Sequence, residues 1–432
     1  MVESNVQIQE NDIYKKSRVM YIIEAALEYF IGLLVAGAYL ARLTSSIGIP
    51  DHITGILSSI TSLGCTFQLI AILWASKRKV KKTVILLHSL NHLLFTLIYV
   101  VPFFDLTTEQ KTIIFLVFLL GGSMFRNMVT PLKLNWFMSM VDDNKRGRFT
   151  ANKEIISLVG GIVFTFIMGN MSDRLEEAGK IMESFIVCGI TLFVLTLLHI
   201  YTMVASREKE VEAKDRLPLK QMLKSLTTDM SFLKIVMVSV LWSMATHFST
   251  PFNGTYSIKE LGLSMTMISI VTAIQSTSRA LFSRPLGKYA DKYTFAKMLN
   301  ICFIVELFAF ALNIFTIPEN GKLLYTAFHV LYAVGLAGIN SGGMNLIYER
   351  VPKEMRVCAL AFKNTLAGIV SFITTLFASQ LVKRIQENGN KFFGMDLYAQ
   401  QVMSAITTVG IIVLIIYLNT VVKKMNVNKD SD

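Results

Sequence analysis

Glu24 and Glu28 stand four residues apart in an apolar block near the N-terminus, and Arg126 and Lys133 stand seven apart in another. Spacings of four and seven put each pair on one face of an α-helix. An ionisable side chain at bilayer depth costs about 2.5–3.5 kcal/mol on insertion scales, so it turns toward a protein interior or a water-filled cavity. If the first block runs outward and the second inward, a rise of about 1.5 Å per residue sets Glu24 near the depth of Lys133. Glu28 then falls between Lys133 and Arg126. Two acids facing two bases can bind a charged group of a solute, relay a proton, or do both. A glutamate whose proton competes with a solute cation or with Arg126 would couple transport to a proton gradient. The same four residues would also serve as an ion-pair network that only holds helices together.

Other polar residues sit in apolar surroundings. His247, Asn253, Gln275, Asn340 and Asn345 are candidates for lining a cavity, although each alone is more often a satisfied helix–helix contact. Arg279 and Glu306 are expected to pair across adjacent antiparallel helices. Lys363 is expected to snorkel to the membrane surface. His88 and His92 share a helical face but have no evident carboxylate or cysteine partner, and His199 and His329 lie elsewhere, so no metal site is expected. The four cysteines, Cys65, Cys188, Cys302 and Cys358, form no CxxC pair and suggest no disulfide framework. No G-x-x-x-x-G-K-[ST] loop occurs, which disfavours ATP-driven pumping, and no catalytic triad or HExxH grouping is present. An enzyme is therefore not expected, and no cofactor is called for.

The elements that must carry these residues follow from composition. The 432 residues are 53% hydrophobic and 17% charged, against about one-quarter charged in soluble domains; mean hydropathy is +0.52. The apolar residues gather in blocks of about 20, the length that crosses a hydrocarbon core of about 30 Å. Unpaired backbone is too costly in lipid, so such blocks must be helices. We read twelve spans, at 20–43, 53–75, 83–104, 112–140, 154–172, 184–204, 234–252, 263–286, 298–317, 323–347, 358–382 and 398–422. The polar first 19 residues and the acids in the following block fit a first spanning helix better than a cleavable signal.

Lys and Arg set the orientation. Of the 42, 29 fall on the termini and the even-numbered loops and 8 on the odd-numbered loops. Arg42, Arg126, Lys133, Arg279 and Lys363 lie in or at the edge of spans. Both termini are therefore expected in the cytoplasm. The same asymmetry accounts for most of the net charge of +12 without invoking nucleic acid. The longest internal polar stretch, 206–233, divides two groups of six spans, and its part from Leu217 to Leu233 has the spacing of an amphipathic surface helix. The expected organisation is a cytoplasmic tail (1–19), a six-helix bundle (20–205), a cytoplasmic loop (206–233), a second six-helix bundle (234–422) and a cytoplasmic tail (423–432). An offset of 210 residues aligns Asn135 with Asn345, Val141 with Val351, Arg146 with Arg356, Ala151 with Ala361 and Lys153 with Lys363, a faint parallel repeat.

Six plus six spans with a long central loop, and the run Gly287-Lys288-Tyr289-Ala290-Asp291-Lys292 after span 8, resemble the major facilitator superfamily and its G-x-x-x-D-[RK] loop signature. Thr294 and Phe295 stand near the place of the usual following Gly-Arg. The loop after span 2 is more degraded, with Ser76 in place of the Asp, then Lys77, and Lys79 where Gly is common. Lys145-Arg146-Gly147-Arg148 after span 4 is also similar to family members. The resemblance implies an all-α integral membrane fold of twelve helices in two pseudo-symmetric bundles. It implies that Gly287, Asp291 and Lys292, with Arg146 and Arg356, belong to an inner-gate latch, with Asp291 near the start of the eleventh helix and Arg356. A carboxylate so placed gains roughly 0.3–2 kcal/mol. Arg126 resembles the span-4 arginine of the family's proton antiporters, with Val129 and Thr130 where Gln and Gly are usual. Span 5 has Gly160, Gly161 and Gly169 but lacks the Gly-Pro of many drug antiporters.

The expected function is secondary active transport of a small solute by alternating access in a plasma or inner membrane, coupled to H⁺, by a monomer. Drug efflux on the same fold, a non-transporting membrane sensor and a lipid-handling protein are the alternatives.

Overall fold

The chain turns from one helix to the next at glycines, prolines and short polar loops, and the computed structural model describes residues 2–74, 79–142, 146–209 and 218–427. The helices are α1 (Val2–Leu34), α2 (Gly37–Ser46), α3 (Asp51–Leu63), α4 (Gln68–Trp74), α5 (Lys81–Leu97), α6 (Thr108–Met138), α7 (Arg146–Glu177) and α8 (Ile181–Ala205). After the central segment come α9 (Leu219–Thr228), α10 (Met230–Thr246), α11 (Asn253–Thr255), α12 (Met265–Lys292), α13 (Phe295–Asn313) and α14 (Gly321–Tyr348). The chain ends with α15 (Arg356–Glu387), α16 (Ala399–Tyr417) and α17 (Lys423–Val427). Helix occupies each of the twelve expected spans. Among the described residues nine, counting Ile13–Ser46 as one, are long and apolar enough by themselves to cross a membrane. The other three are α5 and α10, 17 residues each, and α12, which carries Arg279, Arg284 and Lys288.

Lipid as the solvent explains the side-chain distribution. On α8, Ile190, Phe193, Val194, Leu197, Leu198 and Tyr201 are exposed, while Cys188, Leu192, His199 and Met203 are buried. A helix apolar on its outer face and carrying polar groups inward is the reverse of a water-soluble pattern.

Two compact units emerge: Met1–Ala36 with Phe67–Arg216, and Gly37–Thr66 with Leu217–Asp432. The first span breaks at Gly37, whose φ of 56° lies in the left-handed region that glycine tolerates. The second breaks at the 3₁₀ turn Gly64–Phe67. At each break the chain passes from one unit to the other, so α2 and α3 belong with the C-terminal helices.

In the first unit, Tyr21 stacks on Phe137 with centroids 4.2 Å apart, and Trp136 donates its indole N–H to the Arg207 carbonyl at 2.9 Å. In the second, α3 lies close along α15. A side chain at Gly368 would strike the Ser62 carbonyl. Ser379 donates to the His52 carbonyl at 2.9 Å, and Thr365 to that of Cys65 at 3.2 Å.

The amphipathic segment expected at Leu217–Leu233 contains α9, which buries Met222 and Leu226, four residues apart. Asp229 ends it and caps α10 by accepting from the Ser231 and Phe232 amides, and the chain bends 87° there. A two-residue hairpin pairs Lys391 with Asp396 before α16.

The 210-residue repeat has a local structural counterpart. Arg146, the first residue of α7, donates to the Met138 carbonyl at 3.0 Å. Arg356, the first residue of α15, donates to the Tyr348 carbonyl at 3.0 Å. Each arginine reaches back eight residues to the end of the preceding long helix, where orphan carbonyls and the negative end of the helix dipole favour a cation.

Candidate functional site

Glu24, Glu28, Arg126 and Lys133 meet in the first unit. Lys133 Nζ donates to Glu24 Oε1 at 2.7 Å and also to Glu28 Oε2. Arg126 Nε lies 3.5 Å from Glu28 Oε1. Burial is graded across the four: the Glu24 side chain is 0% exposed, Lys133 9%, Glu28 18% and Arg126 48%. The cluster therefore runs from a dry end at Glu24 to an open end at Arg126. Two acids and two bases cancel in charge, which lowers the cost of burying them.

Histidines extend the dry end. His199 Nε2 lies 2.9 Å from Glu24 Oε1. His88 and His92, one turn apart on α5, lie against it, with ring centroids 4.9 and 4.4 Å from that of His199. This corrects the sequence expectation that the histidines lie apart and that His88 and His92 lack a carboxylate nearby. One turn of α5 faces one turn of α8, and α1 brings Glu24 to both. The i, i+4 spacing of His88 and His92 was the available signal; the partner helix was not readable from periodicity.

The second unit holds most of the other candidates, without gathering them into one cluster. His247 ends α10, with Nδ1 3.0 Å from the Ser243 carbonyl and Nε2 3.4 Å from Ser62 Oγ. Asn253 follows the break at Pro251, and its Oδ1 accepts from Gln400 Nε2 at 2.5 Å. Gln275 is half-buried on α12, one turn from exposed Arg279. Asn340 is exposed on α14 and Asn345 half-buried near its end.

Among the described residues no ion pair joins Arg279 to Glu306, contrary to expectation. Glu306 on α13 is fully buried, both its carboxylate oxygens lack a hydrogen-bond partner, and it packs at Gly335 of α14. Its helix turns it toward α14 rather than α12, whose Arg279 is exposed.

The latch residues differ in two respects from expectation. Gly287, Asp291 and Lys292 are not in a loop: α12 continues through Lys292, and the next helix starts after Thr294, whose hydroxyl accepts from the Lys297 amide. Among the described residues Asp291 forms no ion pair with Arg356. Asp291 is exposed, whereas the Arg356 guanidinium is held by the Tyr348 carbonyl and lies 4.7 Å from the centroid of the Tyr348 ring. Lys292 lies over Tyr293, its Nζ 5.4 Å from the ring centroid. Ser76, Lys77 and Lys145 lie outside the described residues, as do 210–217 of the expected central loop and 428–432 of the expected tail.

A polar group that sequence reading overlooked sits at the other end of the second unit. Asp51, at the start of α3, accepts from Lys259 and, at 2.9 Å, from Gln386 Nε2. A small cleft beside it is lined by Tyr256, Glu260 and Gln400. Burial, and then the Asp51 charge, push the Glu260 carboxyl above its ordinary value.

The model of the Major Facilitator Superfamily matches residues 21–375 and again 243–430. The chain belongs to this superfamily. It is a multi-pass membrane protein of a transporter family rather than an enzyme. Among solved structures, the nucleoside transporter NupG superposes with a TM-score of 0.68 at 14% identity, covering 94% of this chain and 98% of that one. A D-xylose–proton symporter gives 0.68 at 11%, covering 93% and 97%. A bacterial homologue of the lysosomal transporter Spinster, inward-facing and occupied, gives 0.67 at 11%, covering 94% and 95%. At such identity these likenesses show the superfamily's fold and nothing finer. No curated protein matches the sequence.

Proposed function

We propose that this superfamily member is a proton-coupled secondary carrier of a small solute, with Glu28 as the coupling carboxylate. The observation that carries the reading is the gradient of exposure from Glu24 to Arg126. At bilayer depth a half-exposed guanidinium belongs against water rather than acyl chains. Glu28 then sits between a cavity and the dry Lys133–Glu24 pair, within reach of a proton or solute arriving from the cavity. Arg126 is the group best placed to meet an anionic or hydrogen-bond-accepting part of the solute. Lys133 keeps a positive charge beside Glu28 when a proton is delivered or withdrawn.

Both termini face the cytoplasm of a plasma or inner membrane in this reading, as the Lys and Arg distribution supports. The Asp51–Lys259–Gln386 group is then an outer gate, and Arg146 and Arg356 stand at the inner side. The carrier acts as a monomer by alternating access. Nucleosides and pentoses, the solutes named for two similar folds, are the first to test.

A thermal-shift screen of purified protein against nucleosides, pentoses, peptides and drugs finds the solute, since a ligand of the folded state raises its apparent stability. Uptake of that solute into proteoliposomes under an imposed pH gradient then tests Glu28. The expected result is that Glu28→Gln loses pH-driven uptake while keeping solute counterflow. Unchanged pH-driven uptake would remove Glu28 from the mechanism.

A further inference from the structure

We infer that His88, His92 and His199 form a binding site for a divalent late first-row transition metal of the zinc and cobalt type. The inference is independent of the proposed proton coupling. One ring nitrogen from each of the three histidines lies within 4.8 Å of the others, and all three side chains are buried. Contraction of a cluster this size by rotamer adjustment reaches the metal–nitrogen distance of about 2.0–2.1 Å.

The unsatisfied polar atoms point to a missing ligand. Both ring nitrogens of His88, both of His92 and Nδ1 of His199 are buried without a hydrogen-bond partner. A buried polar atom left unpaired costs about 1–3 kcal/mol, and the five belong to three rings that each bring one nitrogen to the same place. His199 Nε2, the sixth, lies 2.9 Å from Glu24 Oε1. A carboxylate accepts, so Nε2 carries the hydrogen and Nδ1 is left as a lone-pair donor. A carboxylate that orients a metal-bound imidazole through its other nitrogen is the usual outer partner of such a ligand. The donor set is therefore three imidazoles, with water in the fourth position. Imidazole suits zinc, cobalt, nickel and copper, whereas magnesium and calcium require mostly oxygen. A second carboxylate, Glu28, lies within the same distance of His88 and His199, which eases the entry of a dication.

The test uses full-length protein purified with a tag free of histidine, stripped with chelator and titrated with Co²⁺. The expected result is one saturable site per chain with the intense visible absorption of four-coordinate cobalt, displaced by Zn²⁺. His92→Gln and His199→Gln should each weaken binding roughly tenfold or more. His329→Gln, on a buried histidine of the other unit, should leave it unchanged. X-ray absorption on the zinc-loaded wild type needs no variant and should show imidazole scattering at about 2.0–2.1 Å. No saturable binding, weak six-coordinate absorption only, no imidazole scattering, or full affinity in His199→Gln would overturn the site and leave the cluster as a water-filled polar pocket. None of these outcomes bears on pH-driven uptake, which Glu28→Gln tests separately.

Discussion

Lys133 holds Glu24 and Glu28 at once, reaching from α6 to two successive turns of α1. One cation therefore offsets one of the two acid charges between these helices, and Arg126 beside Glu28 offsets the other.

Removing that cation should be costly. Lys133→Met leaves two carboxylates facing each other in a nearly dry site, and breaking a buried pair from one side costs about 3–5 kcal/mol. We expect a large drop in thermal stability in detergent. Adding Glu24→Gln should recover part of it, and a double-mutant cycle measures the coupling. Equal stability of Lys133→Met and wild type would contradict the network.

Arg126 should behave differently. Its side chain is 48% exposed, and pairs of this kind contribute about 0.2–1 kcal/mol. Arg126→Gln should change stability by no more than about 1 kcal/mol while weakening solute binding. Tight binding in this variant would place the solute elsewhere.

Asp51 should govern closure of its end of the second unit. Asp51→Asn removes the charge that Lys259 pairs with, and we expect a cysteine placed on the lining residue Phe252 to react faster with an aqueous maleimide. Exchanging the charges, Asp51→Lys with Lys259→Asp, should restore slow labelling if the ion pair is the cause.

Glu260 adds a pH dependence with a definite sign. Burial and Asp51 raise its affinity for a proton in the arrangement seen here, so this arrangement, with Asp51 paired to Lys259, is favoured when Glu260 is protonated. The contribution is full below the ordinary value of 4.5 and is lost as pH rises through the raised value. Maleimide labelling at the same cysteine, with rates corrected for reagent reactivity, should slow as pH falls through this window. Glu260→Gln should flatten that part of the profile.

Two glycines separate packing from motif. A Cβ at Gly368 would strike the Ser62 backbone, whereas one at Gly287 meets nothing within 4 Å. Gly368→Ala should therefore destabilise the fold by forcing α15 from α3. Gly287→Ala should be neutral or stabilising by up to about 1 kcal/mol, the helix propensity difference, because α12 is helical at Gly287. Thermal unfolding of the two variants compares them directly.

The amino-acid order by itself determined the helical spans, since lipid forces blocks of that length into helix. It also determined which ionisable residues share a helix face and the family signature at Gly287–Lys292. Periodicity reports the faces of one helix, not which faces meet. Only packing brought His199 to Glu24 and to His88 and His92, because that contact needs α1, α5 and α8 at once. Only packing joined residues 37–66 to the C-terminal helices, through breaks at Gly37 and at Gly64–Phe67 that a hydropathy average smooths over. The same holds for Arg356, which has a carbonyl and a ring of its own neighbourhood nearer than Asp291, and for Glu306, which faces Gly335 rather than Arg279. Each depends on which helix faces meet, and distance in the folded chain decides it.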